Sequence, residues 1–298
     1  MRKLWELFPG ETQGFWKNAL EPEGITEIRM RASQPVLIYI SGCEYYLGRD
    51  GSYTKEIDFA CRFNAKELAK LILHLCRYSL YAYADDFKEG FVTLEGGHRL
   101  GVAGKVITDE GRIIAMKDIS CLNLRVAHQM KGIADPVLNY LYENGEIKNT
   151  LIISPPGCGK TTMLRDLIRQ ISDGNRYGKG RTVGVCDERS EIAGIYMGEA
   201  MNDLGIRTDI MDGCPKAIGM ELMVRSMAPE VVAVDELGGD KDREAVAEAM
   251  RRGVKVLATI HAGSIEEAMR SCGPDCFECF MLLEKKEGVP AVREIRGI

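Results

Sequence analysis

Residues 151–162 read Leu151-Ile152-Ile153-Ser154-Pro155-Pro156-Gly157-Cys158-Gly159-Lys160-Thr161-Thr162, followed by Met163-Leu164-Arg165-Asp166-Leu167-Ile168. A short apolar run, a Pro/Gly-rich turn and apolar residues at helical spacing spell strand, loop and helix. Gly157 and Gly159 let the backbone turn its N–H groups inward where the loop meets the positive end of a helix, an arrangement that cradles phosphate. The phosphate-loop pattern asks for Gly, four residues, then Gly-Lys-Thr or Gly-Lys-Ser. Here Ser154 stands in the first position and Gly159-Lys160-Thr161 completes the pattern. The phosphates of ATP are expected on Pro156, Gly157, Cys158, Gly159, Lys160, Thr161 and Thr162. Lys160 would reach the β- and γ-phosphates, and the Thr161 hydroxyl would hold Mg2+.

Further strand ends supply the partners such a loop requires. Val231-Val232-Ala233-Val234-Asp235-Glu236 is an apolar strand closing on two acids, the Walker-B arrangement. Asp235 is expected to contact the magnesium through water, and Glu236 to polarise the attacking water. Between the two motifs, Val183 to Cys186 runs into Asp187-Glu188-Arg189-Ser190-Glu191. Parallel sheets bind ligands beyond the carboxyl ends of their strands, so Asp187 and Glu188 are expected to point toward nucleotide. A fourth run, Val256-Leu257-Ala258-Thr259-Ile260-His261, ends in two side chains either of which could sense a γ-phosphate. Short apolar strands without alternation, separated by helical segments such as 163–171 and 243–252, indicate a parallel sheet covered on both faces. The fold class is α/β: a RecA-like P-loop NTPase domain over 131–298, preceded by a smaller α+β N-terminal domain over 1–130.

The first half carries a different texture. Ile25 to Leu47 reads as a hairpin around Ser41-Gly42, and Phe91 to Leu94, Arg99 to Ile107 and Leu122 to Ala127 read as strands. Asn64 to Leu80 has helical spacing, with Asn64 and Glu67 forming a capping box. A further helix is expected over Val137 to Tyr142.

The 298 residues suffice for two domains, and 45% hydrophobic with 28% charged residues is a globular composition. A net charge of -5 and a pI of about 5.6, without an aromatic-plus-basic stripe, count against nucleic acid as a partner. No apolar run reaches the ~18 residues of a membrane-spanning helix, and the first residues do not read as a secretory signal. Ten scattered cysteines then read as reduced thiols of a cytoplasmic protein. Cys272, Cys276 and Cys279, with Cys214, are either a metal-ligand set or small apolar residues on a helix facing a core.

The ordered set of phosphate loop, Cys186-Asp187-Glu188-Arg189-Ser190-Glu191-Ile192-Ala193-Gly194, Val234-Asp235-Glu236-Leu237-Gly238-Gly239 and Ala258-Thr259-Ile260-His261-Ala262-Gly263 resembles the type II/IV secretion (traffic) ATPases, in particular their sporulation branch. The run from Asn202 to Gly239 carries that likeness, as do Ile25 to Arg31, Gly96-Gly97-His98-Arg99 and Leu122 to Ala127. The resemblance implies an aspartate box at 187–188, a histidine box at 259–261 and Glu188 as a second candidate for orienting water. Glu236, Glu188, Lys160 and His261 are thus the catalytic candidates, and Thr161 and Asp235 the metal ligands. It also implies a hexameric ring of identical chains, in which the N-terminal domain covers the nucleotide. The partners would be membrane-embedded channel or secretion-like proteins, met from the cytoplasm on the mother-cell side during sporulation. An arginine from another domain or subunit often completes such sites; Arg99, Arg125, Arg207 and Arg225 are the candidates, with Arg29 and Arg31 behind them. Two other readings stay open at this point: a nucleic-acid-acting P-loop motor, and a scaffold that binds ATP with little turnover.

Overall fold

The computed structural model describes residues 3–21, 23–273, 276–286 and 289–297. The chain separates into two compact units, one of Met1–His128 together with Tyr196–Met201, the other of Gln129–Ile195 and Asn202–Ile298.

The first unit opens with helix α1 (Gln13–Leu20) and is built on an antiparallel sheet. Its strands are β1 (Ile25–Arg31), β2 (Leu37–Ile40), β3 (Cys43–Leu47), β4 (Tyr53–Thr54), β5 (Phe91–Thr93), β6 (Arg99–Asp109) and β7 (Arg112–Arg125), in the order β4-β3-β2-β1-β7-β6-β5. Helices α2 (Ala65–Leu75) and α3 (Ala84–Lys88) pack on β7. One face of the sheet is apolar: Ile28, Met30, Ile38, Leu100, Leu122 and Leu124 are buried against Leu68, Leu71 and Ile72 of α2. Burying that face in water-excluding contact is what holds the unit together. The expected capping box is present, with Asn64 Oδ1 accepting from Lys66 and Glu67 N–H (2.9 and 3.0 Å) and Glu67 accepting from Asn64 N–H (2.7 Å). The helix is shorter than its pattern, however. Arg77 and Tyr78 adopt φ of 50° and 61° and turn the chain away, so the apolar spacing beyond Leu75 is not helical. Strand β7 begins ten residues before the expected Leu122 because it pairs with β6 out to Asp109↔Arg112.

The second unit holds helix α4 (Leu138–Leu141) and strand β8 (Thr150–Ser154), then α5 (Lys160–Asp173), β9 (Val183–Asp187), β10 (Thr208–Asp212) and α6 (Lys216–Ser226). Strand β11 (Val231–Val234), α7 (Asp240–Arg251), β12 (Lys255–His261), α8 (Ile265–Cys272), β13 (Cys279–Lys286) and β14 (Val289–Gly297) follow. The sheet order is β10-β9-β11-β12-β8-β13-β14, parallel except for the antiparallel β13/β14 edge. Ile152 joins the core on one face, and Leu151 and Ile153 join the core on the other. Two buried faces explain why β8, β9 and β11 are apolar without alternation.

Strands β10, β13 and β14 go beyond the four runs expected in this domain. Cys279 opens β13, so the three clustered cysteines share neither a helix face nor a strand. Among the described residues, no three His, Cys, Asp or Glu side chains stand close enough together to hold a metal ion, and no helix is long and apolar enough to cross a membrane.

Candidate active site

Strand β8 delivers its chain into the loop 155–159, exposed over Pro155, Pro156 and Gly157. Gly157 and Gly159 take φ of 75° and 87°, the left-handed region that favours glycine. Gly159 is also the N-cap of α5, and a side chain there would run into the Pro290 ring. A glycine cap has no side chain to bond the first-turn N–H groups of α5, so that positive helix end stays open to an anion. Cys158 turns its thiol back toward Pro156 O at 3.9 Å, and Thr162 lies part-exposed in the first turn of α5.

Lys160 is buried, 5% exposed, and burial holds its ammonium below the ordinary lysine range. It donates to His261 Nδ1 at 2.8 Å and makes longer contacts to Ser154 O and Oγ (3.4 and 3.5 Å). An ammonium can only donate, so Nδ1 accepts and the imidazole proton sits on Nε2, which donates to Glu236 Oε1 at 2.8 Å. His261 therefore bridges the phosphate-loop lysine to the second acid of β11.

Thr161 donates to Asp235 Oδ2 at 2.6 Å. This pairs a hydroxyl with a carboxylate beside the open helix end, the oxygen-donor set that suits magnesium. Glu236 has φ of 52°, an uncommon conformation for a residue with a side chain. Its carboxylate faces His261 and, at 3.4 Å, Arg189. Glu188 shares a cleft with Asp235, Glu236 and Arg189, but its carboxylate is held by an ion pair to Lys216 on α6.

Two expectations are corrected. Asp187, expected to point toward nucleotide, lines the same cleft but commits its carboxylate to its own loop. It is 2% exposed and turns inward, where Oδ1 accepts from Glu191 N–H (2.8 Å) and Oδ2 from Ile192 and Ala193 N–H (2.9 and 2.8 Å). Burial nonetheless pushes its carboxyl up to about 6. Thr259 is fully buried and bonds to Asp235 rather than facing the loop.

The arginine candidates divide between the units. Arg207 donates to Ser172 O at 2.9 Å, and Arg225 stands 4.0 Å from Glu221 on the exposed side of α6. In the first unit Arg99 lies over the Phe91 ring, Arg125 opposes Glu27 in the β1/β7 ladder and Arg29 pairs with Glu27. Sequence reading missed Arg165, Arg189 and Lys216. Arg165 lies four residues after Thr161, on the same side of α5, and that spacing was the signal available for it.

The family model described as Sporulation stage III, protein AA matches residues 12–298. The chain is 40% identical to stage III sporulation protein AA of Bacillus subtilis (strain 168), over 99% of this chain and 94% of that protein. Among solved structures it is similar to the Yersinia pseudotuberculosis ATPase DotB, with a TM-score of 0.63 at 14% identity, covering 97% of this chain and 80% of that one. It is likewise similar to the pilus retraction motor PilT, solved with bound ADP, with a TM-score of 0.61 at 16% identity over 100% of this chain and 83% of that one. At these identities the structural likeness speaks for the fold.

Proposed function

The chain belongs to the family Sporulation stage III, protein AA, and from that membership and the geometry of the site we propose that it is a Mg2+-dependent ATPase of the secretion type. The observation that carries the reading is the line Lys160–His261–Glu236 beside the Thr161–Asp235 pair. What supports the reading is that a buried cation, a hydroxyl–carboxylate pair and a second acid gather beside one uncapped helix end.

The residues fit Mg-ATP. The N–H groups of 157–162 would take the phosphates, and Lys160 would exchange His261 for phosphate oxygens. Thr161 and Asp235 would hold the magnesium, whose charge offsets that gathered on the phosphates. Glu236 would take the water's proton and orient its lone pair in line with the γ-phosphorus. We assign that role to Glu236 rather than Glu188, because Glu188 is paired with Lys216 whereas Glu236 is joined through His261 to Lys160. At the level of the assembly, we propose a hexameric ring, docked from the cytoplasm on a membrane-embedded channel on the mother-cell side during sporulation.

Steady-state ATP hydrolysis against protein concentration, with sizing of the same samples, tests the reading. Parent activity per chain should rise as a larger species forms. Lys160→Ala should weaken nucleotide binding about 10- to 100-fold, as loss of a charge-assisted contact of about 1.5–3 kcal/mol implies. Glu236→Gln should bind like the parent and hydrolyse at least ~100-fold slower. Binding without hydrolysis by the parent would favour the scaffold reading instead.

A further inference from the structure

Resting on that reading, we propose that Thr259 is a positioning residue for the metal-binding acid, fixing Asp235 and Glu236 as one rigid pair without touching the nucleotide.

Strands β11 and β12 are parallel neighbours with Val234 opposite Ala258, so the residues leaving β11 pass directly beside Thr259. Three bonds stitch them to it. The Thr259 hydroxyl donates to Asp235 Oδ1 and accepts from Glu236 N–H at 2.8 Å, and Thr259 O accepts from Leu237 N–H at 2.8 Å. A threonine hydroxyl has one proton, and here Asp235 takes it. The side chain is also 0% exposed, so it has neither the proton nor the access to bond a phosphate.

Thr259 determines the geometry of both acids. With Oδ1 tied to Thr259, Asp235 presents Oδ2 to Thr161, the side on which the metal would lie. Capture of the Glu236 N–H favours the left-handed backbone at φ 52°, a conformation that persists only where the surroundings impose it. That backbone in turn aims the Glu236 carboxylate at His261. Outer partners of metal ligands typically matter 10- to 100-fold in metal affinity or activity.

The test compares Thr259→Val, which keeps the shape and removes the hydroxyl, with Thr259→Ser, which restores it. Binding of a fluorescent ADP analogue is titrated with Mg2+ and repeated in EDTA; hydrolysis is followed at saturating Mg2+. Thr259→Val should need about 10-fold more Mg2+ for half-maximal binding, keep the parent's affinity in EDTA, and lose kcat more than it raises KM. Thr259→Ser should recover the parent's metal dependence. If Thr259→Val does not fold, Thr259→Ala takes its place in the same titration. Parent-like Mg2+ dependence and kcat in the hydroxyl-free variant would overturn this proposal alone. Metal-independent binding by the parent would overturn the ATPase reading and this proposal with it.

Discussion

Arg165 and Asp187 grip the same stretch of backbone by its two polarities. Arg165 donates to the carbonyls of Glu191 (2.6 and 3.2 Å) and Ile192 (3.0 Å), and Asp187 accepts the N–H groups of Glu191, Ile192 and Ala193. Burial lowers the guanidinium below its ordinary range and raises the carboxyl above its own, so neither charge is well solvated and each is answered by peptide dipoles. The loop that carries Glu188 and Arg189 is thereby clamped from helix α5, one turn beyond the phosphate loop.

Arg165→Met keeps much of the side-chain bulk and removes the donors, leaving the Glu191 and Ile192 carbonyls without them. An unsatisfied buried acceptor costs about 1–3 kcal/mol. Thermal melting should fall accordingly by several degrees, and hydrolysis should fall further than nucleotide binding. Unchanged melting would show that the loop holds itself.

Asp187→Asn should reveal a pH-dependent term. The folded carboxyl titrates at about 6 against an ordinary value of 3.8, so the folded state binds the proton more tightly. The stability this group contributes is fully present below about 3.8 and is lost as pH rises through 6. A shift of this size amounts to about 3 kcal/mol. Urea unfolding of both proteins at pH 4.5 and 7.5 checks it: the parent should lose ground to Asp187→Asn at the higher pH. A difference that does not move with pH would mean the three N–H donors offset the burial.

His261→Ala removes the bridge between Lys160 and Glu236. Freed of its histidine contact, Lys160 should bind ADP at least as tightly as before. Glu236 loses the donor that aims it, so kcat should fall by roughly 10- to 100-fold, less than the full worth of a general base. Calorimetric ADP titration and single-turnover hydrolysis separate the two effects. A variant that binds ADP weakly and hydrolyses normally would place His261 on the nucleotide instead.

The parts of the site that local chemistry dictates were legible in the sequence. Lys160 and Thr161 follow glycines that only a tight loop needs, and Asp235 ends an apolar strand too short to be anything but buried. Pairings between distant segments were not legible. Glu188 and Lys216 meet because α6 follows β10 back across β9, and no local pattern announces that approach. Asp187 misled for a related reason: a strand-end acid can face ligand or turn back to cap its own loop, and only the positions of residues 191–193 decide. Strand β14 escaped notice because a partly exposed return strand does not carry the continuous apolar signature of its buried neighbours, whereas β13 does carry it in Phe280-Met281-Leu282-Leu283 and was overlooked among the clustered cysteines.

The small hairpin of Ile195–Tyr196 with Glu199–Ala200 is split between the two units. Ile195 packs in the second core, whereas Tyr196 and Met197 meet Arg77 of the first, the ring at 5.1 Å and the sulfur at 3.3 Å. Neither unit is thus a single uninterrupted length of chain. A gene cut at residue 128 would yield two halves that each misrepresent the protein: one lacking a piece of its own surface, the other trailing a tyrosine and a methionine with their arginine gone. Separately produced fragments would therefore be expected to recognise each other through that six-residue loop before any nucleotide is added.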